Sequence, residues 1–137
     1  MLMPKKYKYR KVQRGVVRGR SKDGNEVSFG EAGLRATSTG FVTSRQIESA
    51  RVSINRVLKR EGKLWIRIFP HKPITKRPAE TRMGKGKGEV DHYVAVVQPG
   101  RIMFEIGGVD INLARKALEK AAYKLPVKAD YVAKKID

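Results

Sequence analysis

Residues 63–98 read KLWIRIFPHKPITKRPAETRMGKGKGEVDHYVAVVQ, and the way this run divides decides how the chain folds. Both ends carry the two-residue alternation of strands. Leu64, Ile66 and Ile68 fall on one side and Trp65, Arg67 and Phe69 on the other, and residues 90–98 are rich in β-branched and aromatic side chains. Between them, residues 72–88 contain Pro73, Pro78, Gly84, Gly86 and Gly88. Proline lacks the N–H and glycine is too free in conformation, so neither a regular helix nor a central strand is expected there. The expectation is a loop of seventeen residues strung between two strands. It holds six cations, Lys72, Lys76, Arg77, Arg82, Lys85 and Lys87, against the single acid Glu80. Loops of this length inside a compact domain are either functional or disordered. Alternating glycine and lysine favours function, because bare backbone N–H groups and ammonium charges can approach a phosphate chain together.

Working outward, residues 101–106, RIMFEI, follow a Pro99-Gly100 turn as a third strand. Asp110 is placed to cap a helix with Leu113, Ala117, Leu118, Ala121 and Leu125 at three- and four-residue spacings, stopped by Pro126. Residues 127–135 read as a last strand at a lysine-protected edge. On the N-terminal side, Thr43 and Gln46 form a capping box ahead of Ile47, Ala50, Ile54, Val57 and Leu58, which share one arc of a helix ended by Gly62. Arg45, Arg56, Lys59 and Arg60 point away from that arc and Arg51 lies beside it, so one face packs and the other is a basic stripe. Before this helix, residues 26–39 read as two short strands interrupted by Gly30 and Gly33.

Residues 1–22 hold nine cations and no acid, with Tyr7 and Tyr9 between them. Such a segment cannot fold alone, and it reads as an arm that orders on RNA, its Lys and Arg on phosphates and its tyrosines available for stacking. Residues 23–137 then form one domain. The whole chain of 137 residues has Lys+Arg 31 against Asp+Glu 13, a net charge of +18, and a pI near 10.5. That excess calls for a polyanionic partner, nucleic acid before an anionic membrane. No apolar run approaches the roughly 20 residues of a spanning helix and no signal-peptide core opens the chain, so no membrane is involved and a cytoplasmic location is expected. Cys 0 excludes disulfides, thiolate metal sites and a cysteine nucleophile.

Catalytic constellations are lacking. The glycine run has no G-x-x-x-x-G-K-[ST] pattern. Asp91 and His92 are strand neighbours whose side chains diverge, and His71 and His92 alone do not make a metal site. No cofactor, metal or enzymatic activity is expected. An RNA-modifying or RNA-cleaving enzyme is thus disfavoured, whereas an architectural DNA or RNA binder is an alternative class, with neither a heptad seam nor a helix-turn-helix pair in its support.

The run KLWIRIFPHKPITKRPAETRMGKGKG, the following DHYVAVVQPGRIMFEI, the helix ending AAYKLP and the opening MLMPKKYKYRK together resemble the bacterial large-subunit ribosomal protein sixteen (L-sixteen) family over essentially the whole chain. The resemblance implies an α+β fold, a two-layer sandwich with two helices on one side of a mostly antiparallel sheet, extended by the basic N-terminal arm and the Gly-Lys loop. It implies a non-catalytic constituent of the large subunit, bound to large-subunit (23S) rRNA and neighbouring large-subunit ribosomal proteins, beside tRNA at the aminoacyl and peptidyl sites, with no homo-oligomer. Carried over by residue, Lys5, Lys6, Tyr7, Lys8, Arg10, Lys11, Arg14, Arg18, Arg45, Arg51, Arg56, Arg60 and Arg82 would contact rRNA. Lys76, Arg77, Arg82, Met83, Gly84, Lys85, Gly86, Lys87 and Gly88 would lie nearest tRNA. The arginine matching Arg82 is hydroxylated in some family members.

Overall fold

The computed structural model describes residues 24–75 and 90–134. Its elements run β1 (Ala32–Ala36), β2 (Gly40–Thr43), α1 (Ser44–Leu58), β3 (Lys63–Ile66), β4 (Lys72–Thr75), β5 (Val90–Val97), β6 (Ile102–Gly107), α2 (Ile111–Ala122) and β7 (Ala129–Ala133). The α+β class holds, but the expected single sheet is two. A four-stranded sheet has the order β3-β6-β1-β7 and a three-stranded sheet the order β2-β5-β4, every pairing antiparallel.

Strand alternation decides which side chains are buried. Ala32, Leu34 and Ala36 of β1 and Phe104 and Ile106 of β6 point to one face of the larger sheet, where they meet Ile47, Ala50, Ile54 and Leu58 of α1 and Ala114, Ala117, Leu118 and Ala121 of α2. Val42, Ala95 and Val97 of the smaller sheet join the same core. Each fully buried Leu, Ile or Phe contributes about 1.5–3 kcal/mol. The opposite face of the larger sheet is covered by residues 24–31. A Cβ on Gly33 would lie 2.9 Å from Val27 Cγ2, so glycine is what lets this segment lie flat against β1.

Four expectations need correction. Residues 72–75 are not loop: β4 pairs with β5 through Lys72↔Val94, Pro73↔Tyr93 and Ile74↔His92. Proline is accommodated because β4 is an edge strand, where a missing N–H costs no ladder bond. The strand expected over 63–69 stops at Ile66 and belongs to the larger sheet, so it does not flank the basic run. Only one strand, β1, forms within 26–39, because residues 24–31 are spent covering the sheet, and Gly40 opens the short β2 that leads directly into α1. Helix α1 ends at the cap Lys59 rather than at Gly62. The edge position of β7 is as expected.

Candidate nucleic-acid interface

Helix α1 is started by the predicted reciprocal cap. Thr43 Oγ1 accepts from the Gln46 N–H at 3.1 Å, and Gln46 Oε1 accepts from the Thr43 N–H at 2.8 Å. With Ile47, Ala50, Ile54 and Leu58 buried, helical geometry turns Arg45 and Arg56 outward, and both are exposed. The helix then ends in two successive cations with left-handed backbone, Lys59 at φ 50° and Arg60 at φ 68°. For residues with a Cβ this conformation costs roughly 1–2 kcal/mol each, and glycine is the usual occupant. Their charges sit where the helix carbonyls are negative, which offsets part of that cost.

Arg51 behaves differently from its neighbours. Its Nε donates to Glu48 Oε2 at 3.0 Å and its Nη2 donates to Glu48 Oε1. This hydrogen bonding holds the Glu48 carboxyl below the usual carboxylate range and raises the Arg51 guanidinium above its ordinary value. Of the four arginines on or just past α1 expected to meet rRNA, Arg45, Arg56 and Arg60 have no ion pair among the described residues and Arg51 has one.

Helix α2, capped by Asp110 Oδ2 accepting from the Asn112 N–H at 3.1 Å, packs alongside α1. Lys120, Lys124 and Tyr123 are exposed at its C-terminal end, Tyr123 to 89%. A cleft of about 550 Å³ runs between the helices, walled by Arg45, Ser49, Ser53 and Arg56 on one side and Lys120 and Lys124 on the other. The one acid in its walls is Glu48, already engaged by Arg51. The α2 wall was not visible in the sequence reading, because a 3.6-residue repeat identifies the inward face of each helix but not which outward residues of two helices converge.

On the far side of the larger sheet the charges are answered from within. Glu105 is fully buried. Its Oε1 accepts from the backbone N–H groups of Ser28, Phe29 and Gly30 at 2.9, 2.8 and 3.0 Å, and its Oε2 pairs with Arg67 Nη1 at 2.7 Å. Arg67 Nη1 also donates to the Glu26 carbonyl at 2.6 Å, and Arg101 Nη2 donates to the Arg67 carbonyl at 2.9 Å. Phe29 and Trp65 stack at 6.2 Å between Arg67 and Lys63, which lie 5.3 and 5.2 Å from the respective ring centroids. Among the described residues no group of His, Asp and Glu is arranged to hold a metal.

The remaining candidate residues fall elsewhere. Lys5, Lys6, Tyr7, Lys8, Arg10, Lys11, Arg14 and Arg18 of the arm lie outside the described residues, as do Lys76, Arg77, Arg82, Met83, Gly84, Lys85, Gly86, Lys87 and Gly88. The described residues bracketing residues 76–89 are Thr75 and Val90, which are ladder partners across β4 and β5, with a register shift between Ile74 and Thr75. No described helix is long and apolar enough to cross a membrane.

This geometry can be set beside known proteins. A family model described as ribosomal protein L16p/L10e matches residues 4–132. The large ribosomal subunit protein uL16 of Leptospira biflexa serovar Patoc (strain Patoc 1 / Ames) is 58% identical over 136 residues, covering 99% of this chain and 99% of that protein. The large ribosomal subunit protein uL16 of Macrococcus caseolyticus (strain JCSC5402) is 61% identical over 132 residues, or 96% of this chain and 92% of that protein. A match of this extent leaves neither the core, the helices nor the basic run outside it, and the chain belongs to the ribosomal protein L16p/L10e family.

Proposed function

We infer that this chain is a structural constituent of the large ribosomal subunit in the cytoplasm, where it binds large-subunit rRNA. The observation that carries this is the end-to-end match to large-subunit proteins of the L16p/L10e family. The charge distribution supports it physically: a net charge of +18, with Arg45 and Arg56 on α1 and Arg60 just past its cap all lacking an ion pair among the described residues, is the electrostatic footprint of a phosphate-binding surface.

The finer reading assigns parts. Lys5, Lys6, Tyr7, Lys8, Arg10, Lys11, Arg14 and Arg18 thread rRNA, and Arg45, Arg51 and Arg56 of α1 face it together with Arg60 just past the helix. The run from Lys76 to Gly88, with Arg82 on rRNA and Lys85 and Lys87 foremost, contacts tRNA at the aminoacyl and peptidyl sites. Support comes from the β4–β5 hairpin, whose paired Thr75 and Val90 anchor both ends of that run to a sheet. Lysine on glycine suits such a contact, since tRNAs of every sequence must be accepted and backbone contacts carry no sequence information. The chain positions RNA and contributes no nucleophile or base. Co-sedimentation tests the reading: the cellular protein should travel with large subunits through high-salt gradients. Recovery of the native protein free of ribosomes at low salt would refute it.

A further inference from the structure

We propose that the cleft between α1 and α2 seats the sugar–phosphate backbone of one unpaired RNA strand, with Tyr123 offered to a base at its end. The proposal rests on the RNA-binding reading above and names a site within it that includes the α2 residues. Three observations carry it. The walls present Arg45 and Arg56 from one helix and Lys120 and Lys124 from the other, none with an ion pair among the described residues, while the single acid Glu48 is held by Arg51. Ser49 and Ser53, four residues apart and about 6 Å between Cβ atoms, place two hydroxyls along the α1 wall at a separation comparable to neighbouring phosphates of one strand. Tyr123, next to Lys124 and 89% exposed, is a large aromatic side chain left in water beside cations, the arrangement that stacks an unpaired base.

The dimensions favour one strand over two. Helices packed side by side have axes about 8–10 Å apart, so the cleft is a narrow groove over their seam with room for one backbone and none for the second strand of a duplex beside it. From Arg45 to Arg56 the α1 wall runs roughly 16 Å, enough for several consecutive phosphates. An acidic polypeptide would satisfy the cations and the hydroxyls alike, but its carboxylates offer Tyr123 no flat face to stack on.

The test uses the full chain with a single-stranded oligoadenylate, duplex RNA of equal length, polyglutamate and large-subunit rRNA as probes, titrated across a range of salt. Replacing both Lys120→Gln and Lys124→Gln, on exposed positions and with helix propensity kept, should lower the melting temperature only slightly. The same change should lower the slope of log K against log salt for oligoadenylate by about 1.4, which is roughly 25-fold in affinity at 0.1 M salt. Tyr123→Ala should weaken oligoadenylate about fivefold or more at every salt with the slope unaltered. A slope indifferent to the two lysines, in a protein that still binds rRNA in a strongly salt-dependent way, would overturn the cleft assignment and leave the subunit role intact. A wild-type chain that fails to bind rRNA would remove the reading on which it rests. Tighter binding of duplex RNA or of polyglutamate, lost in the lysine variant, would assign the cleft to that occupant and overturn the proposal.

Discussion

Arg67 and Arg56 are both arginines of one basic protein, but their surroundings are opposite. Arg67 is paired with the buried Glu105, hydrogen-bonded to the Glu26 carbonyl and laid against Phe29. Arg56 stands exposed on a cleft wall with no ion pair among the described residues. The first kind of arginine holds residues 24–31 on the sheet; the second kind has no charge partner among the described residues. Charge answered from within builds the fold, and charge left unanswered is available to a partner. In a chain with 13 acids, where they are spent is therefore as informative as where the cations are.

Removing the internal answer should have the largest effect. Glu105→Ala orphans three backbone N–H groups and leaves Arg67 uncompensated, and breaking a buried pair in this way costs about 3–5 kcal/mol. Denaturant unfolding should show it as a lowered midpoint, with amide exchange rising first over residues 24–31. An equally stable variant would erase the distinction between the two arginines.

The converse test is smaller in stability and larger in binding. Arg45→Ala and Arg56→Ala should each leave stability within about 0.5 kcal/mol and weaken rRNA binding roughly fivefold at 0.1 M salt, with a flatter salt slope. Loss of stability without loss of binding would move these arginines to the structural class.

Arg51 sharpens the boundary, because its partner is exposed. Its hydrogen bonds depress the folded-state pKa of Glu48, so the pair's small contribution to stability is present at neutral pH and disappears as pH falls through that lowered value. Melting curves of the wild type and Glu48→Gln should differ slightly at neutral pH and converge in acid. In Glu48→Gln, Arg51 also joins the unanswered set, and the salt slope for rRNA should steepen.

Much of the framework was legible in the sequence because it is local. The Thr43–Gln46 capping box, the Asp110 cap and the apolar arcs of both helices depend on residues within a few positions of one another. What was illegible depends on distant partners. Pro73 reads as punctuation in the sequence because its permission to sit in a strand comes from the edge position of β4. Glu105 looked like one polar residue in RIMFEI, although an acid in so apolar a run is a signal, since its donors lie 75 to 77 positions earlier. Lys120 and Lys124 joined the candidate interface only once α2 was seen to run beside α1.

The left-handed Lys59 and Arg60 carry a consequence for anyone improving this protein. Glycine at either position would relieve roughly 1 kcal/mol of backbone cost. Laboratory selection for heat resistance alone should therefore converge on glycine there and discard two cations. Selection that also requires working ribosomes separates two outcomes: retention of both cations would mark a trade-off of thermal robustness against charge, and free exchange for glycine would show that neither charge is needed.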